Sequence, residues 1–219
     1  MILAVAGGKG GVGTSTVAAN LAAETGGVLV EGDLTTGERP PGPGPTLQDV
    51  LGGRVDPETA VREVGGLPMV PGGCSLAGAR AADFGRFEGA VGALDRRFPG
   101  VVVDCPSGLA RDVGEQLRAA DLLLLVTTPE RTALLDALRT RKLAAELGTP
   151  LGVVVLNRAG ADDRPLLDRL ADDLGAPGVV IPDRPVLARG AGETRPVDPE
   201  WATDVAAAFG TLARILDEY

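Results

Sequence analysis

The sequence predicts an α/β fold of three layers, in which helices flank a mainly parallel central sheet. Short apolar runs alternate with stretches of helical periodicity, as expected when parallel strands are joined by helices. Hydrophobic residues make up 44% of the chain and aromatic residues only 3%, so Val, Leu and Ala must fill the core, as in buried parallel strands. At 219 residues the chain is long enough for a substantial core, and we expect one domain over residues 1–219.

A glycine-rich stretch follows the first apolar run at once. It reads GGKGGVGTST from Gly7 to Thr16, between the predicted strand at residues 2–6 and a run of good helix formers at 17–23. Glycines let successive backbone N–H groups point inward, and the N-terminus of the following helix favours a bound anion. The order strand, glycine-rich loop, helix therefore predicts a phosphate-binding loop and a P-loop NTPase fold.

The loop departs from the usual phosphate-binding pattern at one position. That pattern is G-x-x-x-x-G-K-[ST]; Gly8, Gly13 and Ser15 fit it, but Thr14 stands in place of the lysine. Ser15 lies where the loop hydroxyl normally holds Mg²⁺. A glycine-rich turn without a ligand is one alternative interpretation, and a weakened or altered nucleotide site is a more serious one.

Two further apolar runs end in an acidic residue. Residues 28–30 lead to Glu31-Gly32-Asp33, and residues 101–103 lead to Asp104. Open α/β sheets bind ligands at the carboxyl ends of their strands, which is where both acids are predicted to lie. The run ending at Asp104 has a Walker B pattern, which places a carboxylate beside Mg²⁺ and the γ-phosphate. For Asp33, capping of the following turn remains an alternative.

Periodicity and end signals predict the other elements. We expect strands at residues 122–126, 153–158 and 179–183, an exposed loop at 35–45, and helices at 84–98, 132–147 and 199–219. A shorter helix begins after Thr46 as its N-cap. In the helix over 132–147, the buried stripe is expected to comprise Leu134, Leu135, Leu138, Leu143 and Leu147.

The string K-G-G-V-G-x-[ST] resembles the deviant Walker A loop of the MinD/ParA family of dimeric ATPases. The segments Asp104-Cys105-Pro106-Ser107-Gly108, Val126-Thr127-Thr128-Pro129-Glu130 and Ile181-Pro182-Asp183 are similar to further segments of that family. The likeness runs from Met1 to about Val197, and its motifs are individually moderate but jointly specific. It implies the P-loop NTPase fold, with ATP and Mg²⁺ as cofactors.

The resemblance also implies roles for particular residues. Ser15 and Asp104 would hold the metal, Asp33 would position the attacking water, and Lys9 would reach the nucleotide of the opposite subunit. Asn157 would face the adenine, because an amide both donates and accepts hydrogen bonds. The residues expected to bind nucleotide are Gly8, Lys9, Gly10, Gly11, Val12, Gly13, Thr14, Ser15, Thr16, Asn157, Arg158, Pro182 and Asp183.

The function that the resemblance implies is an ATP-dependent homodimeric switch that hydrolyses ATP slowly and positions cellular cargo, with an activator or cargo protein as partner. Thr14 predicts weak ATP binding and poor hydrolysis, because the cation at the β- and γ-phosphates is missing. A non-catalytic pseudo-ATPase scaffold is the alternative. A ligase-type relative such as a dethiobiotin synthetase ranks last, since those enzymes usually keep the loop lysine and lack the early Lys9.

Composition narrows the choice of partners. The net charge of −9 argues against broad DNA binding, and the absence of His removes imidazole chemistry. Cys74 and Cys105 form neither a disulfide framework nor an iron–sulfur pattern, and we expect them to be packing residues. With no signal peptide and no basic C-terminal tail, we expect a cytoplasmic protein without a membrane-targeting tail. The acidity and scarce lysine suggest a salt-loving archaeon as a hypothesis; a melting profile indifferent to molar salt would count against it.

Overall fold

The computed structural model describes residues 1–35, 43–73, 75–108, 111–185, 187 and 203–219. Within these ranges, apolar runs form the strands because β-branched and leucine side chains pack well on both faces of a buried sheet. The strands are β1 (Ile2–Ala6), β2 (Val28–Glu31), β3 (Arg62–Val64), β4 (Leu67–Val70), β5 (Val101–Asp104), β6 (Leu122–Thr127), β7 (Leu151–Ala159) and β8 (Gly178–Pro182).

In the described part of the chain these strands form one eight-stranded sheet, ordered β3-β4-β2-β5-β1-β6-β7-β8. Neighbouring strands run parallel, apart from the antiparallel hairpin of β3 and β4 at one edge. Strand β1 lies in the middle, paired with β5 on one side and β6 on the other. The loop that leaves β1 therefore lies at a switch point of the topology, where open α/β sheets bind ligands.

Helices cover both faces of the sheet and complete the three layers. Side chains of α1 and the C-terminal helix pack with Leu3 and Val5 on one face, while α4 and α5 pack with Ala4 and Val103 on the other. The helices are α1 (Thr14–Glu24), α2 (Leu47–Leu51), α3 (Leu76–Ala81), α4 (Phe87–Asp95), α5 (Arg111–Arg118), α6 (Arg131–Leu147), α7 (Arg164–Leu174) and α8 (Thr203–Leu216). The fold class predicted from the sequence is confirmed.

Helix α2 begins where its N-cap signal places it. The backbone N–H of Thr46 donates to Asp49 Oδ2 at 2.8 Å, which forms a capping box. The helix expected over 84–98 is shorter: a 3₁₀ turn precedes it, α4 starts at Phe87 and ends at Asp95, and Phe84 and Phe98 are only half-buried.

The prediction that five leucines form the buried face of α6 is wrong at two positions. Leu135 and Leu138 are 48% and 40% exposed, and the buried positions are small residues instead. The cause is a close approach between helix and loop: a Cβ on Gly8 would overlap the backbone of Asp136. Leucines do not fit between elements packed this closely. The buried residues of α6 are Ala133, Ala137, Thr140 and Ala144.

The remaining expectations concern the two cysteines, Trp201 and the predicted loop at 35–45. Cys105 is buried among apolar side chains, as expected of a packing residue. Cys74, Trp201 and most of the predicted loop at 35–45 lie outside the described residues. None of the helices within the described ranges combines the length and the apolar character that crossing a bilayer requires.

Candidate nucleotide site

The glycine-rich loop joins β1 to α1 at the centre of the sheet's carboxyl edge. Gly11 and Gly13 have φ of +83° and +94°, a left-handed conformation that favours glycine. Gly13 is the N-cap of α1, and among the described residues no side chain caps that terminus. The unpaired N–H groups of the first helical turn, together with the helix dipole, are therefore available to an anion.

Three hydroxyl residues form the first turn of α1. Ser15 is exposed, while Thr14 and Thr16 are half-buried. A Cβ on Gly10 would lie 3.6 Å from Ser107 Oγ, so the loop borders the turn that follows β5. The structure thus brings the loop hydroxyls and the predicted Walker B segment to the same place.

Asp104 ends β5 beside this helical turn. Its Oδ1 is fully buried and has no hydrogen-bond partner among the described residues. Burial raises the pKa of Asp104 to about 7; the hydroxyls of Ser15 and Thr14 act in the opposite direction, and the charges of Glu31 and Asp33 add to the increase. A buried carboxylate oxygen without a donor, next to a serine hydroxyl, is a donor set that suits Mg²⁺.

Asp33 follows β2, the neighbour of β5 in the sheet. Its Oδ1 accepts hydrogen bonds from the backbone N–H of Thr35 at 2.8 Å and from the Thr35 hydroxyl at 2.9 Å. These bonds hold the carboxylate in a local turn, as the capping alternative predicts. The same residue also contributes to the raised pKa of Asp104, so the turn lies within electrostatic reach of the site.

Lys9 contacts the N-terminus of α6 in its own chain. Its Nζ lies 3.1 Å from Glu130 Oε2 and 3.4 Å from Thr132 Oγ1. Both partners of the ion pair are well exposed, at 43% for Lys9 and 68% for Glu130, so water screens their attraction. The sequence analysis names Glu130 only as the end of a family-like segment; its position just after a predicted strand was the available signal for this contact.

Asn157 lies against the glycine-rich loop rather than in an open cavity. It is 3% exposed, and its Nδ2 donates to the backbone carbonyl of Val12 at 2.8 Å. A Cβ on Gly13 would overlap this amide nitrogen. Asn157 therefore ties the loop to β7, and its contact with a base stays a prediction.

This contact predicts a loss of stability on truncation. Asn157→Ala leaves the Val12 carbonyl without its donor, so the free energy of unfolding should fall by about 1–3 kcal/mol in urea denaturation. Thr140→Val is the control, because its hydroxyl bonds a carbonyl of its own helix. Equal losses in the two variants would contradict the role given to Asn157.

A cleft of about 630 Å³ opens beside the carboxyl ends of β7 and β8. Arg158 interrupts the β7–β8 register and has a φ of +53°, uncommon for a residue with a side chain. Arg164 and Arg184 also line the cleft and were not among the predicted site residues, although Arg184 directly follows Asp183, and that position was the available signal. The cleft is lined by Arg158, Ala159, Gly160, Ala161, Arg164, Val180, Pro182, Asp183 and Arg184.

Two proteins of Methanocaldococcus jannaschii, both described as uncharacterised ATP-binding proteins, are similar in sequence. One is 36% identical over 173 residues, covering 74% of this chain and 66% of that protein. The other is 30% identical over 221 aligned residues, covering 95% of this chain and 78% of that protein. The chain thus spans slightly less than two thirds of the first relative. No protein-family model matches the sequence.

Solved structures of two MinD proteins share the fold over nearly the whole chain. The cell division ATPase MinD of Pyrococcus furiosus is 30% identical, with a TM-score of 0.86 over 99% of this chain and 98% of that one. MinD of Pyrococcus horikoshii, solved with Mg-ADP, is 28% identical, with a TM-score of 0.85 over 99% and 95%. With the glycine-rich loop, the Asp104 strand end and these relatives together, the chain belongs to the MinD/ParA family of ATP-binding proteins.

Proposed function

We propose that this protein is a nucleotide-dependent switch that binds Mg-ATP, forms a homodimer on binding it and hydrolyses it slowly to position a cargo. The observation that carries the proposal lies within the described part of the chain: a helix N-terminus without a side-chain cap stands beside the buried Oδ1 of Asp104, which has no donor there. The first feature suits phosphate and the second suits a cation. The relatives described as ATP-binding support the same assignment.

Each part of Mg-ATP would be bound by a different group of residues at this site. The backbone N–H groups from Gly10 to Thr16 would hold phosphate oxygens, and Ser15 and Asp104 would hold Mg²⁺, which neutralises phosphate charge when bound. Asp33 would orient water from the neighbouring strand end. Residues Arg158, Pro182 and Asp183 in the cleft would contact the base, with the guanidinium available to stack on it.

Lys9 is assigned to the nucleotide of the opposite subunit. In the single chain its ammonium is held by Glu130 and Thr132, so this reach requires the contact to break. An exposed ion pair contributes about 0–1 kcal/mol, which phosphate contacts can outweigh. Dimerisation would then exchange a weak bond to a carboxylate for a bond to a more highly charged phosphate.

A non-catalytic scaffold is the second candidate, favoured by Thr14. Without a lysine at that position, Lys9 is the sole basic residue from Gly7 to Thr16. A scaffold would keep the fold and its protein-binding surfaces and lack the ATP cycle. It predicts that the purified protein carries no nucleotide and that its oligomeric state is independent of ATP.

Titration of Mg-ATP and Mg-ADP, with mass followed by light scattering, tests the proposal. We expect the measured mass to double with ATP and to stay at the value of a monomer with ADP. Lys9→Gln should bind ATP within about threefold of the original chain yet fail to dimerise, because its charge is needed only across the interface.

Lys142→Gln is the matched control, since Lys142 is the other of the chain's two lysines and lies exposed on α6. It should dimerise like the original chain. A mass that is the same with and without ATP would favour the scaffold instead.

A further inference from the structure

Gln116 of α5 is a polar residue with no access to solvent, at 0% exposure. Its Nε2 donates to the backbone carbonyl of Gly32 at 2.9 Å. Its Oε1 is also buried and has no donor among the described residues. One half of the amide is therefore bonded to the chain just before Asp33, and the other half is unsatisfied.

The chain at Gly32 is held from two sides. The Gly32 N–H donates to the carbonyl of Asp104 at 2.9 Å, on the neighbouring strand. A Cβ at this position would overlap Gln116 Oε1 and lie 2.8 Å from the Asp104 carbonyl. The side-chain amide of Gln116 thus lies directly against Gly32, and a residue larger than glycine would displace one of them.

The turn after β4 closes on the other side of Asp33. A Cβ on Gly72 would overlap the Asp33 carbonyl, and the Gly72 N–H donates to Glu31 Oε2 at 3.1 Å. The backbone of Asp33 is therefore confined between two glycines. The bond from Gln116 to Gly32 adds a contact from a side chain of α5.

Stability alone is a poor explanation for this glutamine. The bond from Nε2 satisfies the Gly32 carbonyl, but the unsatisfied Oε1 opposes folding, so the net contribution of this amide to stability is small. A buried hydrogen bond does, however, fix position, because its strength in a low-dielectric interior falls off as the geometry changes.

We propose that Gln116 is a positioning residue that fixes Gly32 and thereby sets the place of the Asp33 carboxylate at the nucleotide site. The functional part of this inference rests on the role proposed above for Asp33. Helix α5 follows the Asp104–Gly108 turn. If a shift of that turn moves α5, the bond from Gln116 to Gly32 would pass the movement on to Asp33.

Hydrogen exchange in the nucleotide-free protein tests the structural part. In Gln116→Met, the amides from Gly32 to Thr35 should exchange about tenfold faster, as expected for loss of about one buried hydrogen bond. Thr149→Val is the matched control: its hydroxyl donates to Leu117 O at 2.7 Å, so it also holds α5 by a buried bond, away from Asp33. That variant should leave exchange at 32–35 unchanged.

Gln116→Leu removes the same donor to the Gly32 carbonyl with a differently shaped apolar side chain, and it should speed exchange over the same residues. This second variant decides the matter if Gln116→Met does not fold. Unchanged exchange at 32–35 in the folded variants, or the same increase in Thr149→Val, would overturn the inference.

Titration with Mg-ATP tests this inference and the proposed function separately. In Gln116→Met, ATP affinity should stay within about twofold while turnover, or ATP-driven dimerisation, falls about tenfold, since Asp33 is displaced and the phosphate loop is not. If the original chain neither binds ATP nor dimerises with it, the proposed function fails, and the exchange experiment still decides whether Gln116 holds Asp33.

Discussion

Thr14→Lys is expected to tighten Mg-ATP binding by about ten- to a hundredfold. The position opens α1 and is half-buried beside Asp104, so an ammonium there would reach the β- and γ-phosphates of a nucleotide on the loop. Each charge-assisted hydrogen bond is worth about 1.5–3 kcal/mol, which corresponds to that range of affinity. Calorimetric titration in low and in molar KCl measures it, with a smaller gain expected in molar salt.

The control for this variant is Thr14→Met, which has a long side chain without charge. It should bind Mg-ATP no more tightly than the original chain. If Thr14→Lys gains nothing over Thr14→Met at either salt concentration, the missing lysine does not limit binding. If the original chain already binds as tightly as Thr14→Lys, another group compensates, and Thr14 is a tolerated change.

The nucleotide-free protein is expected to lose stability as pH rises from about 4 to 7, through Asp104. The ordinary pKa of aspartate is 3.8, and burial raises the pKa of Asp104 to about 7. Between these values the folded state binds a proton that the unfolded state has released, so the free energy of unfolding decreases with pH. Over the whole interval, this carboxyl alone accounts for a decrease on the order of 4 kcal/mol.

Asp104→Asn isolates the effect, because asparagine keeps the shape and does not titrate. Urea denaturation of both proteins at several pH values should give a difference in unfolding free energy that changes between pH 4 and 7 and is constant above about pH 8. Curves that stay parallel across the interval would show that Asp104 keeps an ordinary pKa. In Thr14→Lys the slope should be smaller, since a nearby ammonium lowers the pKa of the carboxyl.

The sequence by itself determined the fold class and indicated which edge of the sheet carries the candidate site. Runs such as residues 2–6 and 101–103 are short and apolar throughout, a pattern typical of strands buried on both faces. The glycines of the loop and the acids at two strand ends are local signals, because their chemistry follows from neighbours in the chain. The topology then brings them together, since parallel strands share one carboxyl edge.

Only the tertiary structure decided which long-range contacts hold that site. The leucine stripe of α6 follows helical spacing, yet the approach of Gly8 to Asp136 selects alanines for the buried face and leaves Leu135 exposed. Nothing near Gln116 in the chain indicates that it bonds Gly32, 84 residues away. Such contacts depend on how helices are placed over the sheet, and periodicity within one element carries no information about its distance from another.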